Sequence, residues 1–217
     1  MSIVFAPSCS LLIYKPELAK KTLDFLNTGN EKIDMLTTCC KKVHEMKPGT
    51  QVINICPGCD RRYSTMYQGV TTISFWEYIA FSDDFKFPDY RGEQMSIHDA
   101  CPTRKKRPLQ VALRTIAERM NIEIIESEFS MEKSICCGDS YFEMTSVEET
   151  KEQMKKRANQ MPCDNVLVHC ISCMKAFYIG KKQPRFLLDL LFEEETAIGT
   201  YEPSSWHNIL DTFSRNH

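Results

Sequence analysis

The order of the cysteines constrains this chain more than any other feature. Each half contains a single cysteine, then an adjacent pair, then a C-x-x-C motif, so ten of the eleven cysteines follow one order that occurs twice. Only Cys163 stands outside it. A lone C-x-x-C motif fits zinc, a redox dithiol or an iron–sulfur cluster, but five thiols in this order are far more specific. The first set is Cys9, Cys39, Cys40, Cys56 and Cys59, and the second is Cys101, Cys136, Cys137, Cys170 and Cys173.

Composition and charge exclude several classes of protein. The formal net charge of −2 argues against a nucleic-acid binder or a polybasic membrane protein. No apolar run approaches the roughly 18 residues that a membrane-spanning helix needs. The first residues lack the basic stretch of a signal peptide. We therefore expect a cytoplasmic protein, from the reducing cytoplasm of an anaerobe, whose cysteines serve metal or redox chemistry rather than disulfides.

Short apolar runs shortly before four of the cysteines predict buried β-strands. In an open parallel sheet the ligand-binding crevice lies beyond the carboxyl ends of the strands, and helices that begin there favour thiolates. The sequence therefore predicts that the cysteines of each half meet at one edge of a sheet. The four runs are Ser2–Phe5, Gln51–Ile55, Gln94–His98 and Asn165–His169.

The two halves repeat the same alternation of strands and helices. The segment Val52–Cys59 can be laid over Val166–Cys173, which indicates a duplicated α/β unit. The gap between the adjacent pair and the C-x-x-C motif is 15 residues in the first half and 32 in the second. We therefore expect the first half to lack roughly one helix and its strand. Predicted helices include Pro108–Asn121, Ser146–Met161, Ile171–Lys181 and Arg185–Glu195.

The number of thiols in each half exceeds what common metal sites need. A structural zinc ion and a cubane cluster each take four protein ligands, whereas each half offers five cysteines. Two adjacent cysteines do not easily bind one tetrahedral zinc ion together, but they can bind different irons of an extended cluster. The residues therefore point to a coordination that is larger or less symmetric than a cubane.

The duplicated order of Cys, Cys-Cys-Gly and Cys-x-x-Cys resembles the cysteine-rich CCG domain family, and within it most closely the disulfide-splitting component of heterodisulfide reductase. The resemblance covers about residues 1–195; it includes Gly138 in the second half, whereas Lys41 replaces the glycine in the first. It implies an α/β fold of two pseudo-symmetric Rossmann-like CCG domains with short parallel sheets, the first one truncated. Their expected bounds are 1–90 and 91–195, followed by a tail at 196–217. It also implies two noncubane [4Fe-4S] clusters, each held by one set of five cysteines.

The function that this resemblance implies is the reduction of a disulfide or related sulfur bond, with a small disulfide as the substrate. The alternative is an electron-transfer module of a larger redox complex with no substrate of its own, so the residues leave open whether the chain is an enzyme. A zinc-binding structural protein is nearly excluded by the number of ligands. No nucleotide-binding glycine motif and no C-x-x-C-x-x-C ferredoxin run occur. Electrons must therefore come from another protein, a ferredoxin-like protein or a flavoprotein subunit.

Four residues beside the cysteines are candidate catalytic residues. Lys41 and Lys42 follow the first adjacent pair and could stabilise developing negative charge, or could only offset the charge of a cluster. His98 and His169 lie at predicted strand ends and could protonate a leaving thiolate. A strand-end histidine that is hydrogen-bonded to the backbone is the more common explanation for the last two.

Overall fold

The computed structural model describes residues 2–29, 32–38, 42, 45–199 and 202–217. The chain divides into two compact units, Met1–Phe85 with Ile209–His217, and Lys86–Asn208. The domain bounds expected from the sequence, 1–90, 91–195 and a tail at 196–217, stay a prediction.

The first unit is built on a parallel sheet of four strands. The strands are β1 Ser2–Ala6, β2 Asp34–Met35, β3 Thr50–Asn54 and β4 Thr71–Ser74, and the helices that accompany them are α1 Cys9–Tyr14, α2 Pro16–Leu26, α3 Pro57–Met66 and α4 Phe75–Ala80. The strand order is β2-β1-β3-β4. Phe5, Val52 and Trp76 are fully buried in its core.

The second unit contains a second parallel sheet of four strands. The strands are β5 Glu93–His98, β6 Ile122–Ile124, β7 Asn165–Val168 and β8 Gln183–Phe186, and the helices are α5 Arg107–Arg119, α6 Val147–Ala158, α7 Ile171–Ile179, α8 Leu187–Leu191 and α9 Pro203–Asn216. The strand order is β6-β5-β7-β8. The division between the two units falls within α9.

Both sheets have the same connectivity. The chain passes from the first strand to a neighbour on one side and then crosses to a neighbour on the other side, so the strand order reverses between β1 and β3 and again between β5 and β7. In open α/β sheets this reversal opens the crevice in which ligands bind. The predicted α/β architecture with short parallel sheets is confirmed.

Two details of the prediction are wrong. The first sheet has not lost a strand, because β2 is present as a pair of residues, Asp34–Met35, beside β1. The segment Gln183–Phe186, at the start of the predicted helix Arg185–Glu195, is strand β8, and the helix that follows it is only Leu187–Leu191. The reason is that a two-residue edge strand shows no apolar alternation, and Pro184 within β8 is tolerated because β8 lies at the sheet edge.

The first half was also expected to lack a helix, and the described residues agree with this part of the prediction. Between β2 and β3, residues 36–38, 42 and 45–49 contain no helix. At the equivalent place the second unit has α6, whose N-terminus is closed by a capping box of Ser146 and Glu149. The longer gap in the second half is therefore used to build α6.

Candidate metal centre

Three of the predicted ligands of the second unit lie where its strand order reverses. β5 pairs with β7 as far as His98 opposite Val168. Cys101 then begins a 3-10 turn, and Cys170 is the residue that caps the N-terminus of α7. Cys173 lies in the first turn of α7 and is buried. Neighbouring strand ends thus bring a single cysteine and a C-x-x-C motif to one edge of the sheet.

The adjacent pair, Cys136 and Cys137, reaches the same place through the loop between β6 and α6. The next residue, Gly138, has a φ of 111°, in the left-handed region. A Cβ atom there would lie 2.6 Å from the backbone nitrogen of Met154 in α6, so both the conformation and the space require glycine. The Gly138 N–H donates a hydrogen bond of 3.3 Å to Cys136 Sγ, and the Ser140 hydroxyl lies 2.9 Å from the same sulfur.

The five thiols of the second unit form a series in which each affects the ionisation of the next. Interaction with Cys101 and Cys137 lowers the pKa of Cys136, whereas interaction with Cys136 raises the pKa of Cys101 and that of Cys137. Interaction with Cys137 and Cys170 raises the pKa of Cys173. A group of thiols this close together suits a soft metal ion or a cluster.

A histidine belongs to the same cluster of side chains. A ring nitrogen of His98 and the sulfurs of Cys137 and Cys173 all lie within 4.8 Å of one another, and the three residues are buried. In a tetrahedral zinc site the ligand atoms are roughly 3.5–3.8 Å apart, given the usual metal–ligand bond lengths. If the distances between these three atoms shortened by about 1 Å, the atoms could therefore hold a metal ion.

Asp99 fixes the two loops that carry Cys101 and the adjacent pair. Its carboxylate is fully buried and accepts two hydrogen bonds from Arg114, of 2.9 and 3.0 Å, and one of 2.7 Å from the Met131 N–H. Burial opposes ionisation, but the Arg114 hydrogen bonds keep the pKa of Asp99 below its ordinary value. The Ser134 hydroxyl donates to the Asp99 carbonyl, and Arg104 Nε donates to the Ser134 carbonyl over 2.5 Å.

A buried arginine and two buried histidines surround the sulfurs. Arg157 is only 2% exposed; its Nη2 donates to the Phe129 carbonyl over 3.0 Å and lies 3.5 Å from His98 Nδ1. Burial, with a contribution from Arg157, lowers the pKa of His98 to about 3, and burial lowers the pKa of His169 to about 4. Both rings are therefore neutral near pH 7. Their role as proton donors stays a prediction.

No family model matches this chain. No curated protein matches it either. The resemblance to the CCG domain family therefore rests on the motifs and their spacing alone.

The start of α9 packs against two parts of this site in the second unit. Trp206 Nε1 donates a 3.0 Å hydrogen bond to the hydroxyl of Ser172, which lies between the cysteines of the C-x-x-C motif. The ammonium group of Lys175 lies 4.6 Å from the Trp206 ring centroid and donates to the Ile198 carbonyl over 2.8 Å. His207 stacks on Phe142, which follows the adjacent cysteine pair. The segment before and within α9 thus helps to hold the loops that carry the cysteines.

A small cavity of about 180 Å³ opens beside Cys136. Its polar lining includes Lys156 and Arg157, and none of the described residues that line it carries a carboxylate. This volume is below the several hundred Å³ of a drug-sized site. The cavity therefore suits a small compound that carries an acceptor or a negative charge.

In the first unit, Cys9 and Cys56 hold positions equivalent to those of Cys101 and Cys170. β1 pairs with β3 as far as Ala6 opposite Asn54; Cys9 then begins α1, and Cys56 caps the N-terminus of α3. Cys59 is buried in the first turn of α3. The remaining candidates of this set, Cys39, Cys40 and Lys41, lie outside the described residues.

Lys42 is the one candidate lysine that the structure describes. Its side chain is neither buried nor fully exposed, and its backbone carbonyl accepts a hydrogen bond of 3.3 Å from the Tyr67 hydroxyl. A role in catalysis stays a prediction for this residue.

Within the described part of the chain, no helix combines the length and the apolar character that crossing a membrane requires.

Three residues of the site were missed at the level of sequence. Asp99 and Arg114 read as ordinary charged residues, because their pairing depends on a contact between β5 and α5. The sequence did indicate the burial of Arg157, because Thr150, Met154 and Arg157 have the spacing of one helical face. An arginine on the inward face of a polar helix is an unusual position that points to a specific role.

Proposed function

We propose that this chain is an iron–sulfur redox protein of the CCG type that reduces a disulfide or a related sulfur bond. Two noncubane [4Fe-4S] clusters would be its cofactors. One would be held by the first set of cysteines, Cys9, Cys39, Cys40, Cys56 and Cys59. The other would be held by the second set, Cys101, Cys136, Cys137, Cys170 and Cys173.

The observation that carries this proposal is the unbroken series of five thiols at the strand reversal of the second unit. A structural zinc site uses four ligands and a cubane cluster also uses four cysteines. Five thiols in one series fit a larger or less symmetric cluster. The adjacent pair, held by Gly138, supplies two sulfurs that different irons can use.

The surroundings of the sulfurs also fit a cluster that contains sulfide. His98 Nε2 and Arg157 Nε are buried and have no hydrogen-bond partner among the described residues. An unsatisfied buried donor costs about 1–3 kcal/mol, so such groups usually face an acceptor that completes the site. Inorganic sulfide is an acceptor and carries negative charge. These two donors therefore favour an anionic group beside Cys137 and Cys173.

The chain's own residues would bring a substrate to the second site. The cavity beside Cys136 admits a small compound, and Lys156 and Arg157 attract a negatively charged one. A bound cluster would supply single electrons to the sulfur bond. Reduction of a disulfide to two thiols consumes two electrons and two protons, so a protein donor of the ferredoxin or flavoprotein type must deliver the electrons.

A second candidate function is a site for one soft metal ion such as zinc. The observation that favours it is the compact group of His98, Cys137 and Cys173, which already offers three ligand atoms. Cys170, which interacts with Cys173, would be the fourth ligand. This candidate leaves Cys101 and Cys136 without a role, and for that reason it ranks second.

The test is anaerobic purification of the full chain, followed by metal analysis and a disulfide-reduction assay with a chemically reduced electron donor. The proposal expects iron with acid-labile sulfide, broad visible absorption and turnover of a small disulfide. Zinc without iron would favour the second candidate. Iron without turnover of any disulfide tested would make the chain an electron-transfer module instead.

A further inference from the structure

Arg157 is a charged side chain in a place where charged side chains are rare. It lies in the last turn of α6, is 2% exposed, and shares the inward face of that helix with Thr150 and Met154. Burying a lone charge is costly unless neighbouring groups compensate for it. The groups that compensate for the charge of Arg157 therefore indicate what this residue does.

The partners of Arg157 compensate for its charge only in part. Its guanidinium donates to the Phe129 carbonyl over 3.0 Å and to the Gln160 side-chain oxygen over 3.1 Å. Among the described residues no carboxylate forms an ion pair with it. The groups that interact with its charge are the sulfurs of Cys137 and Cys173 and the carboxylate of Asp99. Asp99 is already paired with Arg114. The thiolates that Cys137 and Cys173 become when they bind a metal would therefore supply the charge that balances Arg157.

Arg157 also determines which nitrogen of His98 carries the proton. A guanidinium group only donates hydrogen bonds, so His98 Nδ1, 3.5 Å from Arg157 Nη2, must be the acceptor. The neutral ring then carries its proton on Nε2. Arg157 thus positions His98 as a second N–H donor beside the same two sulfurs.

We propose that Arg157 is the fixed positive charge of the second cysteine site, and that with His98 it donates N–H groups to the sulfur anions there and raises the reduction potential of the centre. The inference rests on the proposed function, because it concerns the cluster that the five cysteines would hold. A reduced cluster carries one more negative charge than an oxidised one. A fixed cation in a buried, weakly screened place stabilises the reduced form more than the oxidised form.

This counter-charge is supplied by an element that the described part of the first unit lacks. α6 follows the adjacent cysteine pair of the second unit, whereas residues 36–38, 42 and 45–49 of the first unit contain no helix. Arg157 therefore acts on the second site. The same helix offers a matched control in Lys155, which is exposed, pairs with Glu152 and is not a lining residue of the cavity beside Cys136.

The experiment is a redox titration of the anaerobically purified full chain, monitored by electron paramagnetic resonance, for the parent protein and three variants. Arg157→Gln should make one-electron reduction of the second centre at least tenfold less favourable, which corresponds to a shift of about 59 mV to more negative potential. Arg157→Lys keeps the charge and should retain most of the parent potential. Lys155→Gln removes an exposed, screened charge and should leave the potential unchanged.

The outcomes separate this inference from the proposed function. A parent protein without iron would overturn both. Iron in every variant, with the same potential in Arg157→Gln as in the parent, would overturn the inference and leave the function intact. If Arg157→Gln does not retain the cluster, the Arg157→Lys variant tests the inference instead. A loaded Arg157→Lys protein at the parent potential supports the role of the charge, and loss of the cluster there as well contradicts it.

Discussion

At the scale of single residues, Gly138 shows why the adjacent cysteines need the residue that follows them. Its φ of 111° is a conformation that other residues rarely adopt. The backbone of Met154 also fills the space that a side chain would take. The position of Cys136 and Cys137 therefore depends on the absence of a single carbon atom.

Gly138→Ala should destabilise the protein by about 3 kcal/mol, because strain in the backbone adds to a clash with α6. It should also reduce the iron content, since the loop must move. Thermal unfolding and iron analysis measure the two effects. Gly92→Ala is the matched control: Gly92 has a φ of 79° but no atom within 4 Å of the added carbon. That variant should cost only about 1 kcal/mol, and an equal loss in both variants would contradict the packing argument.

Asp99 offers a second prediction at this scale. Asp99→Asn replaces a fully buried carboxylate that holds Arg114 and the Met131 N–H. It should lower the free energy of unfolding by about 3 kcal/mol, because Arg114 loses its fully buried anionic partner and keeps only the partly exposed Glu126. Glu126→Gln removes the other carboxylate that binds Arg114, but its side chain is 44% exposed. The expected loss there is under about 1 kcal/mol, and chemical denaturation distinguishes the two values.

The order of the cysteines could be read from the sequence, but the support around them could not. The strand that precedes Cys170 was predictable, because Val166–Val168 is a continuous apolar run of the kind that buried parallel strands show. The strand that precedes Cys101 gave a weaker signal, since Met95 and Ile97 alternate with polar residues. The burial of Asp99 and Arg157 was not, because a charged residue is usually exposed and only a contact distant in sequence changes that. Arg157 is the case in which helical spacing contained the information.

At the scale of elements, the structure gives α6 and the start of α9 roles that the sequence did not indicate. The helix α6 was predicted as the segment Ser146–Met161, but its contact with the cysteine site became visible only through Gly138 and Arg157. The C-terminal segment was expected only as a tail at 196–217. The hydrogen bond from Trp206 to Ser172 assigns the start of α9 to the C-x-x-C helix α7.

Trp206→Ala should lower the free energy of unfolding by about 3 kcal/mol or more, because a large buried ring is removed. Trp206 is 3% exposed. Ile209→Ala, on the same helix, removes a side chain that is 41% exposed and should cost far less. Thermal unfolding of both variants measures the difference. Equal losses would mean that α9 contributes only its helical structure.

At the scale of the whole molecule, one strand order occurs twice. The sequence predicted the duplication because the cysteine order and the segment around each C-x-x-C motif repeat. It predicted a lost strand wrongly, because a difference in gap length counts residues and does not show which element they form. The structure assigns the additional residues of the second half to α6 and keeps four strands in each sheet.

The measurement that tests the central claim most directly is the iron and acid-labile sulfide content per chain of the anaerobically purified protein and of two cysteine variants. We expect about eight irons in the parent, from two four-iron clusters. Cys101→Ser should leave about four, because it removes a ligand of the second set only. Cys163→Ser, which lies outside both sets, should match the parent. Zinc in place of iron, or an unchanged iron content in Cys101→Ser, would contradict the account.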